Sequence, residues 1–368
     1  MFWKIVAATV GILAINYYIY LRFIAKSRLR RYIKLSILGF LFVVSLTGVL
    51  MRTVNRDAVG AGLFDATSAV LSFASAFSWT LFTVSIFIDV PSLFLVRFKR
   101  KKLVNHVYQS IIILGSLAIT SWGQYEGLKL PEVKEVTIES ALIRQPVKIA
   151  LMTDLHITRS EDIERIKNIV NIINNLHADV ILLGGDILDD EIKTIISLAQ
   201  PLQNLHAPLG VYYVTGNHEY YMSVNDAEVL IKQVGIRQLE NSGVLLRDDL
   251  YLAGVPDMRY CGRFLRSFDI DQALNDAEQN QFKILLSHQP VKTDKANLVL
   301  SGHTHGGQSL PFMFVVPIYS SGMLAGLYGE QEHYNYVSRG VGSWGGKIRE
   351  FAPYDITLMT VNPVSAGK

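Results

Sequence analysis

The chain changes its hydrophobic rhythm about a third of the way along. Up to residue 125 apolar residues run in long blocks; beyond it they come in short strands and one-sided helices. The long blocks cover residues 5–24, 35–51, 63–96 and 107–122, against the roughly 20 residues a helix needs to cross a bilayer. The third block is too long for one straight span, and a tilted helix ending near Asp89-Val90-Pro91, followed by a short interfacial piece, accommodates it. A cleaved signal peptide does not fit the first block. Asn16, Tyr17, Tyr18 and Tyr20 stand where small residues would be needed, and three more blocks follow. A buried soluble bundle would carry a charged helix face, and these blocks lack one. Residues 1–125 are therefore expected to form a transmembrane domain of about four helices.

Residues 126–146 read as a tether with an edge hairpin, from the alternation Val133, Lys134, Glu135, Val136, Thr137, Ile138. From Val147 strands and helices alternate. Residues 147–152, 180–183 and 211–214 are apolar strands. Residues 161–176 place Ile163, Ile166, Ile169, Val170 and Ile173 on one helical face, and 191–205 form a second amphipathic helix. Later strands fall at 251–255, 282–286, 298–300, 334–337 and 356–361. This order implies two layered sheets flanked by helices over residues 147–368.

Composition sharpens the division. The chain of 368 residues is 50% hydrophobic and 18% charged, and the shortage of charge lies in the first 125 residues. A net charge of +3 is too small to indicate a nucleic-acid partner. The single cysteine, Cys261, excludes an internal disulfide framework and a cysteine-based zinc cluster. Basic residues gather in two loops: Lys26, Arg28, Arg30, Arg31 and Lys34, then Arg97, Lys99, Arg100, Lys101 and Lys102. The opposite side offers Arg52, Arg56 and Lys129. By the positive-inside rule the two loops are cytoplasmic, which puts both termini and the second domain outside the cytoplasm.

Five clusters stand where strands should end. They are Asp154-Leu155-His156, Gly184-Gly185-Asp186, Gly216-Asn217-His218-Glu219, Ser287-His288 and Gly302-His303-Thr304-His305. Loops at strand ends present functional groups above a rigid sheet. Each cluster alone is weak, because a lone histidine there is usually a hydrogen-bonded structural residue. Together they hold five of the nine histidines. Imidazole, carboxylate and amide donors without thiolate suit hard-to-borderline divalent cations. Two such cations side by side need one carboxylate to bridge them.

In order and spacing the clusters resemble the calcineurin-like metallophosphoesterase superfamily, whose pattern is D-x-H, G-D, G-N-H-E/D, H and G-H-x-H. The continuation Gly306-Gly307-Gln308 and the tail from Tyr336 to Gly342 resemble its bacterial membrane-anchored branch. The resemblance spans residues 147 to about 362. It implies an α/β fold, the four-layer α/β/β/α sandwich of two mixed sheets, here preceded by the transmembrane bundle. It implies that Asp154, His156 and His305 hold one metal with Asp186, and that Asp186 bridges to a second held by Asn217, His288 and His303. A hydroxide between the metals would attack phosphorus, while His218 stabilises the transition state or protonates the leaving group. The ions would be two of Mn, Fe or Zn. Two readings stay open for Glu219, an orienter of an imidazole or a solvated surface group. Asp189 and Asp190 are expected to cap the following helix.

Two segments bear on substrate. Arg259, Tyr260, Arg263, Phe264, Arg266 and Phe268 interleave at near-helical spacing, as a membrane-surface helix or as an ordinary amphipathic one. Residues 311–318 form an apolar lip for an acyl chain or, as the safer reading, a buried strand. His106, His177, His206 and His333 lie outside the motifs.

The expectation is a multi-pass enzyme of a bacterial cell membrane, with its catalytic domain outside the cytoplasm. It would hydrolyse phosphoesters, diesters by preference, of a lipid-linked or small substrate at the bilayer. A UDP-2,3-diacylglucosamine-type pyrophosphate hydrolase is the alternative. The deduced topology and the histidine at 218, where that group carries arginine, oppose it. A non-catalytic membrane sensor is a third reading, opposed by the complete ligand set.

Overall fold

A computed structural model describes residues 2–54, 56–94, 102–264, 266–330 and 332–364. The chain divides into two compact units. One comprises Met1–Leu128 with Ser309–Phe312 and Trp344–Phe351; the other comprises Lys129–Gln308, Met313–Ser343 and Ala352–Lys368.

The first unit is helical. Phe2–Ile19 runs into a π turn at Tyr20–Ala25, and Arg31–Ser45 is followed by Thr47–Thr53 and Arg56–Val59. Ala61–Phe94 and Lys102–Leu128 complete it. Ala61–Phe94 continues past Pro91 instead of stopping at Asp89-Val90-Pro91; its 34 residues reach about 51 Å, against a hydrocarbon core of about 30 Å. Among the described residues one helix, Ala61–Val90, is long and apolar enough to cross a membrane, and Thr9–Ala25 is a shorter apolar helix. Only 33% of the apolar window in Ala61–Val90 is buried, unlike the core helix of a soluble domain. Apolar side chains lie on the outside of the unit as well as in a small core around Ile15, Ile19, Leu81 and Ile112. Val10, Phe40, Leu63, Val70, Ile111 and Leu114 face outward. Asn16 donates to Ser45 within, and Thr80 and Thr120 both donate to Glu350. Of the second basic loop, residues 97–101 lie outside the described residues, and Lys102 opens the helix Lys102–Leu128.

Among its described residues the second unit contains twelve strands. They are β1 (Glu132–Ser140), β2 (Val147–Met152), β3 (Val180–Leu183), β4 (Val211–Tyr213), β5 (Arg237–Gln238), β6 (Ser242–Arg247), β7 (Leu250–Gly254), β8 (Phe282–Leu286), β9 (Leu298–Ser301), β10 (Gly326–Glu330), β11 (His333–Val337) and β12 (Asp355–Pro363). They form two mixed six-stranded sheets, ordered β1-β12-β2-β3-β4-β5 and β10-β11-β9-β8-β7-β6.

Strand periodicity explains the layering, since successive side chains face opposite sides. Val147, Ile149 and Leu151 meet Leu250, Leu252, Ile284 and Leu298 in one core between the sheets. The alternate residues Ala150 and Met152 pack with Ile166, Ile169 and Ile173 of helix Ile163–Asn175. Tyr251, Ala253 and Leu285 face a smaller outer layer with Ala273. The result is the α/β/β/α sandwich.

Two expectations are corrected here. No hairpin forms at 132–140: β1 pairs in parallel with β12, Glu132 opposite Asp355, because β12 lies between β1 and β2 and takes the edge that a hairpin partner would use. The helix expected over 191–205 ends at Ala199, and Gln200–Asn204 tightens to a 3-10 turn around Pro201, which cannot donate to the preceding turn.

Candidate metal centre

The β2, β3, β4, β8 and β9 strands all run in parallel within their sheets, so their carboxyl ends open on one edge. All five motifs follow those ends. Backbone hydrogen bonds lace the loops together: the amides of Asp154 and His156 donate to Gly185 and Asp186 carbonyls at 3.0 Å each, and the Gly302 amide donates to His288. The loops bend hard. Asp154, His156, Asp186, His303 and His305 all have positive φ, between 50° and 68°. That region is uncommon for non-glycine residues and holds strain at functional sites. Two glycines are required by crowding. A Cβ on Gly216 would stand 2.2 Å from Asp186 Oδ1, and one on Gly302 would stand 2.3 Å from Asp154 Oδ2.

All seven ligand candidates come together. Asp154, His156 and His305 form one trio and Asp186, His288 and His303 another, with ligand atoms within 4.8 Å of one another in each. His156 Nε2 is 3.1 Å from His305 Nε2, and His305 Nε2 is 3.3 Å from Asp154 Oδ1. Asn217 Oδ1 lies 3.3 Å from His288 Nε2. Asp186 joins the trios: its Oδ2 is 3.2 Å from His288 Nε2 and 3.9 Å from His156 Nε2.

Second contacts set the imidazoles. His288 Nδ1 meets the Gly184 carbonyl at 2.8 Å, and a carbonyl only accepts, so the proton sits on Nδ1 and Nε2 faces the cluster. His156 Nδ1 likewise donates to Asp189 at 3.1 Å.

Charge is concentrated and hidden. Burial opposes ionisation of Asp186, yet His288 and His218 hold it well below the usual carboxylate range. Asp154 is lowered against the same burial by His305 and His288. Burial would lower His288, but Asp186 overrides it and raises the imidazole to about 10. His303 is pushed down to about 3, first by burial and then by the charge on His288.

Three residues act differently from expectation. Asp189 does not cap a helix. Its carboxylate receives His156 on one oxygen and His218 Nδ1, at 2.5 Å, on the other; the cap position belongs to Glu191. Asp190 pairs with Arg159 and accepts from the Glu191 amide. Glu219 makes no hydrogen bond to an imidazole among the described residues and is not solvated. It is buried and accepts the amides of Asp186, Ile187, Leu188 and Gly216, tying two ligand loops to one carboxylate. The signal for Asp189 was its place three residues after Asp186 in the same short loop.

The outlying segments also differ. Among its described residues Arg259–Phe268 is no continuous helix: a turn at Arg259 and Tyr260 leads into a 3-10 segment at Cys261–Phe264, and Arg266 is tied to Glu228 and Glu240. Residues 311–318 are no buried strand. Phe312–Tyr319 is a helix with no buried residue.

A sandwich of two mixed sheets with paired cation-ligand trios at its strand ends defines a metallophosphoesterase. The comparisons agree. The family model for calcineurin-like phosphoesterase matches residues 147–307. An uncharacterized metallophosphoesterase of Campylobacter jejuni is 31% identical over 360 residues, 94% of this chain and 94% of that protein. Another from Helicobacter pylori J99 is 33% identical over 352 residues, covering 93% and 92%. A transmembrane protein with metallophosphoesterase domain from Danio rerio is 31% identical over 270 residues, 67% of this chain and 61% of that protein. The chain belongs to the calcineurin-like metallophosphoesterase family. It is a metal-dependent phosphoester hydrolase, and its family implies divalent metal ions. The donor set fits them: ligand atoms of one cation, each about 2.0–2.2 Å from it, stand about 3 Å apart at right angles, and the imidazole separations here are of that size.

Proposed function

We propose that the protein is a membrane-anchored phosphodiesterase with a dinuclear metal centre, acting on lipid-linked phosphoesters. Asp154, His156, Asp186 and His305 would hold one cation; Asp186, Asn217, His288 and His303 would hold the other. The observation that carries the reading is the reach of Asp186 Oδ2, within 4 Å of an imidazole from each trio. When bound, two divalent cations of the Mn, Fe or Zn kind lower the pKa of water and neutralise phosphoryl oxygens. His218 supplies the acid. Its Nδ1 proton is held by Asp189, leaving Nε2 to carry a second proton. Burial opposes that charge, yet Asp186 and Asp189 raise the imidazole to about 9. A group protonated at neutral pH can protonate the leaving alkoxide.

Hydrolysis of bis(p-nitrophenyl) phosphate by detergent-purified protein tests this. Asp186→Asn should abolish turnover and lower bound metal while leaving the fold intact. Full turnover in that variant would remove the bridging role.

Anchoring is supported by the apolar helix Ala61–Val90, the outward apolar side chains of the helical unit and the printed name of the zebrafish relative. We read four spans, with the basic turn from Lys26 to Lys34 cytoplasmic and the catalytic unit outside. Lipid-linked substrates follow from an enzyme confined to that surface. Alkaline phosphatase fused at the C-terminus should be active in cells; a cytoplasm-only reporter active there would reverse the topology.

A further inference from the structure

The helix Phe312–Tyr319 carries no charged residue and buries none of its side chains. Phe314, Val315, Ile318 and Tyr319 are 51%, 40%, 74% and 65% exposed. A contiguous apolar surface of this kind marks an interaction site in a soluble or membrane-bound domain. Its placement is specific. At its start, a Cβ on Gly307 would stand 2.4 Å from Met313 Cα, so residue 313 lies directly on the turn that follows His305. At its end, the Tyr319 carbonyl accepts from Arg259 Nη2 at 2.7 Å.

The loop bearing Arg259 belongs to the same rim. Asp257 accepts the amides of Arg259 and Tyr260 and the side chain of Gln289, next to His288. Arg263 lies over the Tyr260 ring at 4.9 Å. Tyr221 donates to Tyr260, and its own ring lies 4.9 Å from His218. Arg259 therefore reaches the end of an uncharged helix beside the metal centre, and Arg263 stands on the same loop.

We propose that residues 313–319 insert into the headgroup–acyl boundary of an anionic bilayer, with Arg259 and Arg263 at the level of the lipid phosphates. Seven helical residues span about 10 Å, too short to cross a membrane, and a helix lying in the interface buries its apolar face by about 5–10 Å. Guanidinium groups on the adjoining loop, with no acidic residue on the helix, match an anionic lipid surface. The apolar segment Ala61–Val90 in the same chain points to the same environment. Lipid phosphates would then meet the centre at its own edge, which is what the proposed reading of the substrate requires.

The full chain is placed in phosphatidylcholine–phosphatidylglycerol nanodiscs with a spin label at Ile318→Cys in a Cys261→Ser background. Label accessibility to oxygen should exceed that to a soluble nickel complex, with the reverse at a Glu164→Cys control on the exposed face of helix Ile163–Asn175. Nickel accessibility equal to the control would overturn insertion, and so would spin–spin broadening that indicates a second copy. In a kinetic arm, Phe314→Ser with Ile318→Ser should lower kcat/KM for a long-chain alkyl p-nitrophenyl phosphodiester in vesicles, by about tenfold per side chain removed. Hydrolysis of soluble methyl p-nitrophenyl phosphate should be unchanged. This arm rests on the phosphodiesterase reading. Failure of the wild-type protein to cleave either probe counts against that reading, and the label still decides insertion. Equal loss on both probes overturns the inference.

Discussion

Asp189 accepts the Nδ1 proton of His218 at 2.5 Å. The carboxylate fixes the ring's tautomer and, with Asp186, sustains a positive charge that burial would otherwise suppress.

That pair predicts a pH profile. Asp186 and Asp189 together raise His218 to about 9; cations on Asp186 cancel its share and leave Asp189 to hold the proton, so in the metal-loaded enzyme His218 loses its acid proton below that pH. The kcat/KM for a diester should fall on that alkaline limb. Asp189→Asn should move the limb to lower pH and reduce the plateau by about 10–100-fold, the scale for removing a partner that orients a functional imidazole. A limb that stays in place would assign the acid to another group.

Glu219 should matter more to folding than its position beside His218 implies. Each of its two oxygens serves two buried amides, and the group is only 1% exposed. Glu219→Gln replaces one acceptor by an NH₂ facing amide donors and leaves two amides without partners. At about 1–3 kcal/mol for each buried unsatisfied group, the loss is about 2–6 kcal/mol. Denaturant melts of the purified protein measure it. An unchanged midpoint would mean that the loops around Asp186 and Gly216 are held elsewhere.

Metal binding should be linked to protons through His288. Below about 10 this imidazole is protonated, its charge balancing Asp186 and Asp154. The two carboxylates are already ionised at neutral pH and His303 is already neutral. A cation must therefore displace the His288 proton, and apparent affinity should rise up to about tenfold per pH unit between pH 7 and 9. Calorimetry with Mn²⁺ in buffers of different ionisation heat should find a proton released. A pH-independent affinity would contradict the assignment of His288 as a ligand.

Which features could be read from residues alone follows from the range of the interactions involved. Val147–Met152, Val180–Leu183 and Phe282–Leu286 were legible to the residue, because strands covered on both faces are nearly continuous apolar runs, broken here only by Lys148 and Lys283 near the strand starts. The five clusters were legible because cation chemistry restricts residue type and glycine marks the crowded turns; the choice of seven ligands among them came from the family resemblance, and the fold brings those seven side chains together. The partner of β1 was not: it arrives from residues 355–363, and alternation does not say which edge a strand joins. Nor were the bonds of Asp189 and Glu219, which depend on loops from different strands converging. For residues 311–318 hydropathy was read correctly and burial was not, since apolar composition is common to a core strand and an exposed interfacial helix.

Two glycines separate crowding at the centre from backbone strain away from it. Gly302 has no unusual φ, but a Cβ there would stand 2.3 Å from Asp154 Oδ2 and 2.5 Å from Thr153 Oγ1. Asp154 is fully buried and already fastened to the His303 amide, so its carboxylate cannot swing away without leaving the His305 side. Gly302→Ala should therefore lower bound metal and turnover together. Gly235 is the converse: its φ is +80° and nothing lies within 4 Å of an added Cβ. Gly235→Ala should cost about 1–2 kcal/mol of stability, the penalty of a left-handed alanine, and leave metal content and kcat alone. Metal analysis beside melting curves for both variants distinguishes the cases. Full metal occupancy in Gly302→Ala would show that the carboxylate of Asp154 has freedom its surroundings deny it.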